Sequence, residues 1–248
     1  MDSVDSSKAV EITDGVYWVG YNEGDSGLRC NPYLIVEDDE AMLIEPGSVP
    51  HFPYVYKKVK EVVDPKKINR ILATHQDPDL CASIPIFKNK IQNPDLTIIT
   101  HTRASVLITH YGAELPYYLV DQNHWRYEMS SGRALRFIFT PYLHFPGSFV
   151  SYDEQTKTLF SGDLFGAFTF EWNLYAGEGY VEALKAFHEN YMPSNDILSH
   201  SMKKLEKLDI ERIAPQHGSV IPRPMVAEVI TCLKELECGD YLFEDESG

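Results

Sequence analysis

His75, Asp77 and Asp79 alternate in the run Thr74-His75-Gln76-Asp77-Pro78-Asp79-Leu80, directly after the apolar stretch Ile71-Leu72-Ala73. A turn at Asp77-Pro78-Asp79 can aim successive side chains at two neighbouring centres, and imidazole with carboxylate suits iron, manganese or zinc. Alone, H-x-D-x-D is also ordinary turn chemistry. Its meaning changes because three more ligand-type residues stand where short apolar runs stop. His144 lies between prolines in Thr140-Pro141-Tyr142-Leu143-His144-Phe145-Pro146, Asp163 follows Gly162 in Phe160-Ser161-Gly162-Asp163, and His217 lies in Ala214-Pro215-Gln216-His217-Gly218. Gly162 lets the backbone approach closely, and a carboxylate beside it can bridge two ions. A carboxylate-rich set without cysteine leans toward harder ions. Strand ends in an α/β sheet are where ligands converge, so the six residues read as one metal site.

The elements that must position these residues follow from periodicity. Strands are predicted over residues 11–19, 33–36 and 41–45, with the acidic run Glu37-Asp38-Asp39-Glu40 as a hairpin turn. Residues 54–63 carry Tyr54, Val55, Val59, Val62 and Val63 at helical spacing with lysines opposite, and a strand over 69–73 follows. Residues 83–91 read as a short helix and 96–100 as a buried strand, while 103–121 give no clear period. Two-residue alternation restarts in strands over 133–140, 148–152 and 158–161. Helices are expected over 181–190, 196–208 and 224–236, with a strand over 210–215. The order predicts two similar halves packed sheet on sheet with helices outside, as a single domain over residues 1–248.

Composition narrows the function. A formal charge of −15 repels phosphate backbones and anionic lipid, so nucleic acid and membrane surfaces are not expected partners. The first nine residues are polar and acidic, and no later segment is long and apolar enough to span a bilayer, which predicts a soluble, cytoplasmic protein. Cys30, Cys81, Cys232 and Cys238 are irregularly spaced and read as reduced thiols. Cys81 adjoins the motif, and a small buried residue opening a helix is preferred there to a ligand or a redox-sensitive thiol.

In this order the motifs H-x-D-x-D, T-P-x-L-H-x-P, S-x-D-x-F-G and A-P-x-H-G resemble the metallo-β-lactamase-fold domain of flavodiiron proteins. Val16-Tyr17-Trp18-Val19-Gly20, Pro32-Tyr33-Leu34-Ile35 and Met192-Pro193 add to the similarity, which extends over most of the chain. The resemblance implies an αβ/βα four-layer sandwich with a non-haem site of two irons at the edge of its two sheets. Carried over by position, it implies a first iron on His75, Asp77 and His144, a second on Asp79 and His217, and Asp163 as the bridge. Two positions depart from the family. Asp77 stands where Glu is usual, and Leu80 stands where a second His is usual, which leaves the second iron one protein ligand short, with an open or water-filled position.

Flavodiiron proteins carry a flavodoxin domain with FMN, and this sequence shows neither that domain nor a glycine-rich phosphate loop, so no FMN is expected. The resemblance therefore points toward stand-alone oxygen-binding diiron proteins, with O2 or NO as ligand and sensing or slow reduction as the role. Leu80, Tyr21, Phe165, Phe168, Trp172 and Tyr175 are candidate pocket residues. Two alternatives stay open. One is an O2 or NO reductase served by a separate electron donor. The other is a dizinc hydrolase of the same fold, against which Asp77 and Leu80 both count, because such hydrolases show H-x-H-x-D-H. A signalling protein is a candidate partner, and a homodimer is open. His51, His188 and His200 read as solvent-facing, while His101, His110 and His124 fall in or near the unread stretch, where one could replace the missing ligand.

Overall fold

The computed structural model describes residues 4–21, 28–169 and 173–239. The first half of the chain builds one sheet: β1 (Val10–Thr13), β2 (Val16–Trp18), β3 (Tyr33–Glu37), β4 (Glu40–Ile44), β5 (Ile68–Leu72), β6 (Thr97–Thr100) and β7 (Tyr117–Leu119) lie side by side in sequence order. Pairing is antiparallel from β1 to β4 and parallel from β4 to β7. The helices α1 (Phe52–Val62), α2 (Pro78–Cys81), α3 (Ile84–Ile91) and α4 (Thr102–Ile108) fall between its later strands.

The second half adds β8 (Arg126–Glu128), β9 (Ala134–Phe139), β10 (Phe149–Asp153), β11 (Thr158–Phe160), α5 (Tyr180–Tyr191), α6 (Asn195–Leu205), β12 (Arg212–Ala214), β13 (Ile221–Pro222) and α7 (Arg223–Glu235). Its strands form a sheet in the order β13-β12-β11-β10-β9-β8, with only β11 and β12 parallel.

Three buried clusters show how the layers stack. Tyr33, Ile35, Met42, Ile44, Leu72 and Ile99 of the first sheet meet Phe149, Phe160 and Ala214 of the second in the middle cluster. The alternate residues Leu34, Leu43, Ile71 and Ile98 face Val55, Val59 and Phe87 of the first helical layer. Val150, Leu159 and Ile213 face Leu184, Leu198 and Val229 of the second. A strand covered on both faces needs apolar residues at successive positions, which is why β3, β4 and β5 read as continuous apolar runs. The result is the expected αβ/βα four-layer sandwich.

Several local expectations change. The strand expected over 11–19 is two strands, because Asp14-Gly15 turns the chain with Gly15 at φ +64°, against the backbone oxygen of Val36. The unread stretch holds α4 and the edge strand β7. Lys58, expected opposite the apolar face of α1, is 3% exposed; its ammonium lies 3.9 Å from the Trp18 ring centroid and donates to the carbonyls of Ser6 and Gly20. Among the described residues no helix is long and apolar enough to cross a membrane.

Candidate metal centre

All six residues singled out above meet at one edge of the two sheets. His75 follows β5, Asp77 and Asp79 flank the first residue of α2, His144 lies between β9 and β10, Asp163 follows β11, and His217 follows β12. Pro78 at the first turn of α2 fixes the helix start, and Asp77 precedes it in extended conformation. Gly162 (φ +57°) brings the Asp163 turn against Thr74, so closely that an added Cβ would sit 2.5 Å from Thr74 Oγ1. Gln216 N donates to Gly162 O at 2.7 Å, locking the Asp163 and His217 loops together.

Asp163 is the centre of the arrangement. Its Oδ2 lies 3.3 Å from His75 Nε2 and 3.0 Å from His144 Nε2, while its Oδ1 lies 3.5 Å from His217 Nε2. Asp77 Oδ2 is 3.1 Å from His144 Nε2 and 3.6 Å from His75 Nε2, and Asp79 Oδ2 is 3.2 Å from His217 Nε2. The donor atoms thus divide into two groups, His75–Asp77–His144–Asp163 and Cys30–Asp79–His217, each with its atoms within 4.8 Å of one another. His75 Nε2 and Asp163 Oδ1 are buried with no hydrogen-bond partner among the described residues. Buried polar atoms left without a hydrogen bond are costly, so two of them converging with other donors fit cations between the side chains.

The far ring nitrogens are held by the protein. His217 Nδ1 donates to Arg29 O at 2.9 Å, which presents Nε2 to the centre. His75 Nδ1 meets Thr74 Oγ1 at 3.2 Å, and Thr74 donates through both Oγ1 (2.6 Å) and its backbone N (3.1 Å) to Glu45 Oε1. Burial pushes the Glu45 carboxyl up to about 7, against the pull of His75 and Thr74. Burial opposes charge at the centre as well, yet Asp163 and Asp77 hold His75 well above the usual imidazole range, and Asp163 with Asp77 raises His144 to about 9. Burial works against ionisation of Asp163, but His75, His144 and His217 keep it well below the usual carboxylate range. Protons thus share the space that cations would take, and metal uptake must release them.

Access is one-sided. The side chains of His75, Asp163 and His217 are 2%, 5% and 3% exposed, whereas Asp77, His144 and Asp79 are 28%, 27% and 32% exposed. The centre is therefore open to solvent on the side of Asp77, His144 and Asp79.

The candidate pocket residues are scattered. Leu80 is fully buried in the apolar cluster under the first sheet, with its carbonyl accepting from Gly47 N at 2.9 Å. Tyr21 stacks on Tyr54 at 4.2 Å, Phe165 is fully buried in the cluster under the second sheet, Tyr175 is 36% exposed, and Trp172 lies outside the described residues. Phe168 packs on Phe187 and Tyr191, whose rings stand 5.7 Å from His217 and 6.1 Å from His144 respectively. Among the described residues Phe187 and Tyr191 are the aromatics whose rings lie beside ligand imidazoles, and they were not singled out from the sequence, although their four-residue spacing on α5 places them on one face.

The histidines need two corrections. His188 is fully buried rather than solvent-facing: its Nε2 accepts from Phe165 N at 3.1 Å and its Nδ1 meets Leu184 O at 2.7 Å. His51 is half-buried, 3.0 Å from Ser48 Oγ and beside the Tyr21 ring. His101 caps α4 and stacks on Phe139, while His110 and His124 are exposed.

A four-layer αβ/βα sandwich with a histidine–aspartate centre at its sheet edge defines a metallo-β-lactamase-like protein. Residues 28–218 match the ODP family beta lactamase, and the chain belongs to that family. The chain superposes on the peroxy diiron species of the chemotaxis sensor ODP with a TM-score of 0.81 and 25% identity, covering 96% of this chain and 99% of that one. It is 30% identical over 236 residues to a nitric oxide reductase of Moorella thermoacetica, covering 86% of this chain and 58% of the reductase. Rubredoxin oxygen:oxidoreductase of Desulfovibrio gigas shares the fold, with a TM-score of 0.79 at 21% identity over 92% of this chain and 61% of that one. The chain thus spans little more than half the length of the curated reductase it matches.

Proposed function

We propose that the chain holds two iron ions and binds O2 between them, in an oxygen-sensing or signalling role. The observation that carries this is the orientation of Asp163, whose two oxygens face opposite ligand groups, as a bridging carboxylate must. His75, Asp77 and His144 would hold the first ion and Asp79 and His217 the second. Bound iron would supply one-electron chemistry toward O2 that no protein side chain here offers. The protein's own part is to fix the ligands through Arg29, Thr74 and Glu45, and to leave one side open beside Asp77, His144 and Asp79. Likeness over 99% of the chemotaxis sensor supports the sensing role.

The experiment is metal analysis with optical spectra of anaerobically reduced protein before and after air. About two irons per chain and a new, persistent visible absorption on mixing with O2 are expected. Protein from iron-supplemented cells that holds only zinc, or one metal per chain, would overturn the diiron reading. A second reading, an NO or O2 reductase fed by a separate donor, is favoured by the Moorella relative. Steady O2 or NO consumption when a rubredoxin-type or flavoprotein donor is added would select it.

A further inference from the structure

Building on the two-iron reading above, we infer that the Cys30 thiolate is a seventh ligand of the centre, binding the second ion together with Asp79, His217 and Asp163. Cys30 Sγ lies 3.8 Å from Asp79 Oδ2, and the donor atoms of Cys30, Asp79 and His217 are all within 4.8 Å of one another. Asp163 Oδ1, buried and without a hydrogen-bond partner among the described residues, faces the same space 3.5 Å from His217 Nε2.

The chain on both sides of Cys30 is tied to the loop that carries His217. Before it, Arg29 O accepts from His217 Nδ1 at 2.9 Å. After it, Asn31 N donates to Gln216 O at 2.7 Å, and Asn31 Nδ2 donates to Pro215 O at 3.2 Å and Gly218 O at 3.0 Å. Trp18 Nε1 donates to Asn31 Oδ1 at 2.9 Å and Tyr33 OH to Pro215 O at 2.9 Å. A side chain between two such anchors is held in place beside His217, as a second ligand of the same ion needs to be.

The chemistry agrees. Thiolate, imidazole and carboxylate together suit iron or zinc, and a coordinating thiol gives up its proton, which passes to solvent as the metal enters. Leucine at position 80 then does not leave the second ion short of a protein donor: sulfur arrives from the segment just before β3. The two ions sit in unlike surroundings, nitrogen and oxygen for the first, with sulfur added for the second.

The test is metal K-edge X-ray absorption on the full chain loaded with iron and, separately, with zinc. One sulfur scatterer per two metals at about 2.3 Å is expected, absent in Cys30→Ala and Cys30→Ser. It should persist in Cys81→Ala, whose thiol donates instead to His75 O at 3.3 Å. Oxidised iron protein should also show a visible thiolate-to-iron band that Cys30→Ser abolishes, and Cys30→Ala should weaken second-ion affinity at least tenfold. Wild-type protein with two bound metals and no sulfur scatterer would overturn the assignment, as would a sulfur signal that survives Cys30→Ser. A wild-type chain that takes up only one ion would overturn both this assignment and the two-metal reading, and the stoichiometry tells the two failures apart.

Discussion

Asp163 faces His75 and His144 through one oxygen and His217 through the other. Removing it should therefore cost both ions. Asp163→Ala is expected to leave well under one metal per chain, whereas His75→Ala should deplete mainly the first ion and keep about one. Elemental analysis of purified variants measures this, and equal loss in the two would break the division into two groups. Leu80 makes a separate case. It is fully buried, so Leu80→Ala should lower stability by roughly 2–5 kcal/mol through the cavity it leaves, with metal stoichiometry unchanged. Chemical denaturation alongside metal analysis separates those effects. The six ligand-type residues were legible because His75, His144, Asp163 and His217 stand where apolar runs stop and Asp77 and Asp79 alternate with His75 in one turn, which needs no tertiary information to spot. Cys30 was not, since only the fold brings it beside His217, 187 positions later by subtraction of the residue numbers. Glu45 was hidden for the same reason: in sequence it is the last residue of an apolar strand, and only the parallel pairing of β4 with β5 sets it against Thr74.

Among the elements, the loop after β11 and helix α5 govern how firmly the centre is held. Gly162 leaves no room for a methyl group, with Thr74 Oγ1 2.5 Å from where a Cβ would stand and a positive φ besides. Gly162→Ala should displace Thr74, which supports His75, and so weaken metal affinity about 10–100-fold while costing about 1–3 kcal/mol of stability. Competition with a chelator of known affinity reads the first effect. Helix α5 carries His188, whose pKa burial lowers to about 4, against about 6.5 for an exposed imidazole. The unfolded chain therefore binds a proton that the folded one refuses between those values. Stability from neutral His188 is complete above about pH 6.5 and is lost as pH falls toward about 4, by on the order of 3 kcal/mol. In metal-free protein, His188→Gln should flatten that part of the stability curve; an unchanged slope would show that His188 is not the group responsible. Sequence could not reveal this burial, because His188 lies in a polar stretch of the helix and its partner, the Phe165 amide, comes from the loop beside Asp163.

At the scale of the molecule, the sandwich was legible because strands buried on both faces must be apolar throughout, as in Leu43-Ile44 and Ile71-Leu72. The edge strands were not. Tyr117–Leu119 and Arg126–Glu128 are three residues each and half-open to solvent, so they carry too little pattern to read. What joins the two sheets away from the apolar middle was equally hidden. Arg133, just before β9, donates to Asp153 Oδ2 of β10 at 2.6 Å and to Glu37 Oε1 of β3 at 2.7 Å. The first contact lies within the second sheet and the other crosses to the first, at the end of β3 opposite the segment leading to Cys30. Arg133 and Asp153 are 3% and 0% exposed. Charges this far from water are strongly destabilising when one partner is taken away, because the remaining carboxylate has neither solvent nor counter-ion. Arg133→Met fills much of the same volume but leaves Asp153 unpaired, and should cost about 3–5 kcal/mol. Replacing Asp153 with Asn in the same chain should recover part of that loss, since a neutral amide is cheaper to bury than a lone charge. Because the clamp is remote from the centre, folded Arg133→Met should still bind its full complement of metal. Urea titration of the single and double variants measures the coupling, and additive losses would mean that the pair does not hold the sheets as a unit.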